Sequence, residues 1–319
     1  MLEKLSRLIM ASAGFAAALI FGAALLPTTA QAQDASKVQV TTVVTVLGPK
    51  FLPPPAVAKE DIVVFSGKTR LDVVDWAPAK GENSGLQLAI VIDNSASRFG
   101  LGSQLNELAD FIAQQSAGTE VGVFYAVSGT VQAASAFSKD YASVGTTLRT
   151  PMNPRTDNSP SIYMSLSDLV NHHWQPTGAR REVLLLSTGA DGMNRGPASP
   201  YVQAAIEDAQ KTGVVVHALY TFSGGFDYSM SGQYAQSNLK ELAEGSGGYN
   251  LFDGASTPMS FKPYLQELGA ALQNQYRLTF TIEPKNKSKG ELRELKIRTE
   301  QHHVDLRYPK EIFVPAPAK

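Results

Sequence analysis

The stretch from Leu86 to Ser97 constrains this chain more than any other. Leu88 to Ile92 is an unbroken apolar run, the pattern of a strand buried on both faces in the middle of a parallel sheet. The run stops in Asp93-x-Ser95-x-Ser97, an acid and two hydroxyls at alternate positions. Ligands of open α/β sheets sit beyond the carboxyl ends of the strands. A buried strand ending there in three hard oxygen donors is a cradle suited to Mg²⁺ or Ca²⁺. The same residues have a plainer use, with Asp93 and Ser97 capping the next helix and shaping a turn.

Beyond Ser97, helices and strands alternate. Leu101, Leu105, Leu108 and Ile112 have the spacing of an amphipathic helix. Glu120 to Ser128 reads as a strand, with a second strand from Thr130 to Phe137 paired to it through Gly129, and Tyr141 to Leu148 as a short helix. Arg149 to Pro160 is a loop by composition, and Ser161 to His173 a helix with Ile162, Leu166, Leu169 and Val170 on one side. Glu182 to Leu186 is a second buried strand, ending in Ser187-Thr188-Gly189-Ala190-Asp191-Gly192. A helix over Tyr201 to Lys211, a third buried strand over Gly213 to Tyr220, a helix over Asn238 to Glu244, a short strand over Tyr249 to Phe252 and a closing helix over Phe261 to Asn274 complete the series. Strands alternating with helices predict βαβ units, hence a mainly parallel sheet with helices on both faces.

The flanks differ. Val38 to Leu47 is rich in β-branched residues, and Asp61 to Trp76 reads as a hairpin turning at Gly67. Gly67-Lys68-Thr69 has the ending of a phosphate-binding loop, but Ile62 stands where its first glycine is required. Behind the central region, Tyr276, Leu278, Phe280 and Ile282 alternate with polar residues, and Leu295 to Tyr308 continues the alternation, so one face of these strands is wet. The two flanks are expected to pack together as a small antiparallel β unit with the α/β region inserted between them. The first segment stands apart: Lys4 and Arg7 precede an apolar stretch up to Leu26, and Ala30-Gln31-Ala32 has the small-x-small form of a cleavage site. That reads as a secretory signal, expected to place the protein in the periplasm or outside the cell with no membrane span after cleavage; the alternative is an uncleaved anchor, since the apolar stretch is nearly long enough to span. The expected division is residues 1–32 as signal, 33–84 as leading strands and linker, 85–275 as the α/β domain and 276–319 as closing strands. With no cysteine, an exported chain relies on its core, and 43% hydrophobic residues supply one. A net charge of −1 gives no argument for a nucleic-acid partner or a polybasic membrane contact.

Asp93, Ser95 and Ser97, on a strand of this kind, resemble the first motif of the metal-ion-dependent adhesion site of von Willebrand factor A (VWA) domains. The order of elements from Gly85 to Asn274 resembles that family too, and the flanking strands resemble those of its exported bacterial members. The resemblance implies a Rossmann-like fold and a protein- or cell-surface-recognition module that engages an acidic group of a partner through a divalent cation, Mg or Ca. It also implies two further ligands on neighbouring loops, and both depart from the pattern. Pro160 stands at the family's Thr position, with Ser161 and Ser159 beside it; Thr188 stands where an Asp belongs, with Asp191 three residues on. The metal residues the resemblance points to are thus Asp93, Ser95, Ser97, Ser161, Thr188 and Asp191. One carboxylate among hydroxyls holds a cation more weakly than two. A scaffold that kept the motif for its turn and lost the metal is the competing reading.

Phe222 to Ser237 is expected to be a long Gly-, Ser- and Tyr-rich loop on the same face, with a composition suited to contact. The pairs His172-His173 and His302-His303 are adjacent and so expected to point in different directions, which argues against metal ligation, and His217 falls in a buried strand as a core side chain. No nucleophile elbow, zinc-protease helix or dinucleotide fingerprint occurs, so no enzyme is argued from motifs. An enzyme with an unrecognised site and a structural envelope component without metal are the rival classes. The oligomeric state is not readable.

Overall fold

A computed structural model describes residues 37–49, 53–94, 101–151, 161–174, 178–194, 196–221, 229–251 and 258–317. Residues 1–32, expected to be a signal, lie outside them.

After β1 (Val38–Leu47), β2 (Ile62–Ser66) and β3 (Thr69–Pro78), the α/β region begins with β4 (Leu86–Asp93). It continues with α1 (Gln104–Ala113), β5 (Thr119–Val127), β6 (Thr130–Ser138), α2 (Tyr141–Gly145), α3 (Ile162–His172), β7 (Arg180–Ser187), α4 (Pro200–Thr212), β8 (Val214–Tyr220), α5 (Met230–Ser246) and α6 (Lys262–Gln273). The strand order is β6-β5-β4-β7-β8, with every pairing parallel except that of the edge strand β6. β4 lies in the middle, in register from Leu86↔Thr119 to Asp93↔Ala126 on one side and from Leu86↔Arg180 on the other. All eight of its residues are buried. Its two faces feed two cores: Ala89 and Val91 pack with residues of α3, α4 and α5, and Leu88, Ile90 and Ile92 with α1 and α6. A side-chain period of two buried on both faces is what an uninterrupted apolar run requires. This is the VWA-like fold the sequence predicts. The β5–β6 turn puts both Ser128 and Gly129 at positive φ, the geometry of a tight two-residue hairpin.

Two elements differ from the sequence reading. The helix expected over Asn238–Glu244 starts eight residues earlier, at Met230, where the Ser229 hydroxyl accepts the Gly232 N–H. The second half of the expected Phe222–Ser237 loop is therefore helix; residues 222–228 lie outside the described ones. Gly, Ser and Gln mask the helical period there, because small residues at Gly232, Ala235 and Asn238 are what the buried face needs. The strand expected at Tyr249–Phe252 is a single parallel bridge, Ala218↔Asn250.

The flanks share one sheet. β1, β2 and β3 come from before the α/β region. β9 (Gln275–Ile282), β10 (Glu291–Glu294), β11 (Lys296–Thr299), β12 (Asp305–Arg307) and β13 (Glu311–Val314) come from after it. Their six-stranded order, β11-β2-β3-β9-β1-β12, interleaves the two flanks, and β10 pairs with β13. One core joins Val44, Val64, Leu278 and Phe280 with Ile312 and Val314 of β13, and Trp76 stacks on Tyr276.

The junction with the α/β region is polar and buried. Gln275 hydrogen-bonds Thr45 and accepts from Arg180, whose guanidinium also caps Leu272 O at the end of α6. Glu182 lies 3.7 Å from Arg180 and 2.7 Å from His217 Nε2. The Tyr249 N–H donates to His217 Nδ1, so Nε2 carries the proton and donates to Glu182. His217 is a satisfied core side chain. Among the described residues, no helix is long and apolar enough to cross a membrane.

Candidate functional site

Parallel strands and returning helices put the carboxyl ends of β4, β5, β7 and β8 and the starts of α1, α3, α4, α5 and α6 on one face of the domain. Asp93 ends β4 there and is 4% exposed. Its Oδ2 accepts the Ser187 hydroxyl at 2.7 Å, and Ser187 Oγ in turn accepts the Gly189 N–H at 2.9 Å. Ser187 ends the neighbouring strand β7, so this bond ties the two central strands together just where their ladder stops. The buried carboxylate is thereby held in one orientation.

The other residues implied by the resemblance fall around it with separate duties. Ser161 is the N-cap of α3, with its Oγ accepting the Tyr163 N–H, and the Tyr163 hydroxyl crosses to Gly189 O. Thr188 is buried and accepts the Ala190 N–H. Asp191 turns into its own loop: Oδ1 accepts the Met193 and Asn194 N–H groups, and Oδ2 accepts the Ser199 hydroxyl at 2.5 Å. Ser199 is the N-cap of α4, where a carboxylate also meets the positive end of the helix dipole. Both Asp191 oxygens are thus engaged away from Asp93. Ser95 and Ser97 lie outside the described residues.

Among the described residues, no three His, Cys, Asp or Glu side chains are grouped to hold a metal. The described donors offer a divalent cation one carboxylate, Asp93, and two hydroxyls that already accept backbone N–H groups. A cation fits this set only loosely, since affinity in oxygen sites follows carboxylate count and rigidity.

Sequence reasoning missed two residues at the carboxyl end of β4. Ser187 could have been found, because it ends the second buried strand as Asp93 ends the first. Arg149 could not. Its Nη1 donates to Asn94 Oδ1 at 3.2 Å, and its guanidinium carbon lies 3.9 Å from the centre of the Tyr125 ring. The Tyr125 hydroxyl accepts the Arg149 N–H at 2.6 Å and donates to Arg149 O at 3.0 Å. Burial raises the Tyr125 phenol above its ordinary range, and contact with Arg149 opposes this. One aromatic side chain therefore fixes both the backbone and the head group of Arg149 next to the end of β4.

The described surface has five exposed large hydrophobic residues, Val74 and four methionines. Val74 belongs to the β unit. Met164 lies in the first turn of α3, Met193 in the loop after β7, Met230 at the start of α5 and Met259 just before α6. They are 37%, 56%, 61% and 93% exposed, and each sits at a helix start or loop on the carboxyl-end side of the sheet.

No family model and no curated protein matches the chain. Solved structures do. An aerotolerance-related membrane protein of Bacteroides fragilis NCTC 9343 is similar at 15% identity over 59% of this chain and 98% of that one, with a TM-score of 0.41. The conserved hypothetical protein BatB of Bacteroides thetaiotaomicron is similar at 15% identity over 59% and 97%, with a TM-score of 0.42. Proximal thread matrix protein 1 of the mussel byssus, described with a zinc-occupied MIDAS motif, is similar at 16% identity over 62% and 48%, with a TM-score of 0.43. The fold assignment rests on strand order and register rather than on these likenesses.

Proposed function

We propose that this chain is an exported recognition module, periplasmic or secreted, that binds a protein or cell-surface ligand through the Asp93 face and does not catalyse a reaction. The observation that carries this reading is that four of the five exposed large hydrophobic residues among the described ones lie at the carboxyl-end side of the sheet. Apolar side chains left in water cost free energy unless something covers them, and flexible thioethers adapt to partners of varied shape. The residues that would hold Mg or Ca are Asp93, Ser95 and Ser97, with the Ser161 and Thr188 hydroxyls beside them. A bound cation would supply positive charge for an acidic group of the partner.

Photo-crosslinking in the exporting cell tests the recognition reading. Probes placed at Met193 and Met230 should capture a partner that a probe at Val74 does not. Capture at Val74 alone would favour the rival reading, a structural component that assembles through its β unit. Calorimetric titration with Mg²⁺, Ca²⁺ and Mn²⁺, beside an Asp93→Ala variant, tests the cation. Heat lost in the variant supports it, and no heat from either protein removes it. Sequencing of the exported protein should begin at Gln33.

A further inference from the structure

We propose that Arg149 is a carboxylate-binding residue of this face, engaging an acidic group directly without a metal ion. This rests on the reading of the face as a recognition surface and names the chemistry of the group it takes.

Three observations support it. First, the side chain is built in. Tyr125 stacks under the guanidinium at 3.9 Å and clamps the Arg149 backbone through two hydrogen bonds, and Asn94 orients Nη1. A cation fixed beforehand loses little conformational freedom when it meets its ligand. Second, one N–H of the guanidinium is spent on Asn94, and the rest of the planar fork has no hydrogen-bond partner among the described residues. Arg149 is half-buried, not enclosed, so the fork remains reachable. Third, its place is telling. Asn94 directly follows Asp93, and Asp191 is committed to its own loop. Arg149 therefore stands at the carboxyl end of β4, where a fixed positive charge attracts an acidic group. Its guanidinium fork matches a carboxylate in two parallel hydrogen bonds, with no metal ion between them.

The test is fluorescence anisotropy of a labelled hexaglutamate peptide with the full chain as exported, in EDTA at low salt, with a hexaglutamine peptide as control. Wild type should bind hexaglutamate and not hexaglutamine. Arg149→Gln should weaken binding about tenfold or more, and Arg149→Lys should fall between, because it keeps the charge and loses the fork. Circular dichroism and urea midpoints of both variants should match wild type. Equal binding by wild type and Arg149→Gln in EDTA would overturn the proposal. So would binding that appears only with Mg²⁺ or Ca²⁺ and is lost in Asp93→Ala but kept in Arg149→Gln; that result leaves the recognition reading standing through a cation. No binding in any arm would overturn the proposal as well, whereas the crosslinking pattern judges the recognition reading by itself.

Discussion

Ser187→Ala is the perturbation that examines the architecture of the face most directly. The wild-type hydroxyl donates to the buried Asp93 carboxylate at 2.7 Å and accepts the Gly189 N–H at 2.9 Å, and Ser187 itself is fully buried. Removing it strips a charge-assisted hydrogen bond and leaves an amide donor unmatched in the interior. A bond to a charged group contributes about 1.5–3 kcal/mol and a neutral one about 1 kcal/mol, so the expected loss is about 3 kcal/mol. For a domain of this size that corresponds to a fall in Tm of roughly 8 °C. Thr188→Ala is the control, since that adjacent buried hydroxyl accepts one backbone N–H, from Ala190, at 3.2 Å. Its expected cost is about 1 kcal/mol. Urea unfolding of the three proteins measures both values, with an unchanged m-value showing that the same two states are compared. Equal losses in the two variants, or a Ser187→Ala loss under about 1 kcal/mol, would refute the idea that Asp93 is anchored through Ser187.

Tyr249 is buried, its hydroxyl has no hydrogen-bond partner among the described residues, and its phenol is pushed up by burial against the opposing pull of Arg307, which lies over its ring. Because burial penalises the phenolate and leaves the neutral phenol unaffected, the fold loses stability as pH climbs beyond the unfolded value of about 10. Tyr249→Phe should therefore match wild type at pH 7 and exceed it in chemical denaturation above about pH 10. Gly247 has φ +89°, and a Cβ there would lie 2.5 Å from Pro309 N, so Gly247→Ala should cost about 3 kcal/mol or more by urea melt and loosen the junction between α5 and the closing strands. Mild hydrogen peroxide should convert Met193, Met230 and Met259 to sulfoxides in peptide mass maps with little change in Tm, because none of the three belongs to a core cluster.

What the sequence determined by itself was the layout. An apolar run such as Leu88–Ile92 has only one comfortable place, between two parallel neighbours, and the alternation from Tyr276 to Ile282 only one wet face. Those patterns report burial along one strand or helix, so the order of elements, the place of Asp93 at the end of a buried strand and the packing of the two flanks as one antiparallel unit could be anticipated. The start of α5 could not, because its buried face is made of small residues that carry no hydrophobic period. Side-chain direction was also beyond reach. Asp191 was close enough along the chain to serve Asp93, yet the N–H groups of its own loop and the cap of α4 claim both its oxygens. Arg149 meets Asn94 across 55 residues, and Ser187 meets Asp93 across 94. Periodicity decides which residues leave water; which polar groups then satisfy each other depends on what the packed sheet brings within hydrogen-bonding distance, and only the tertiary structure sets that.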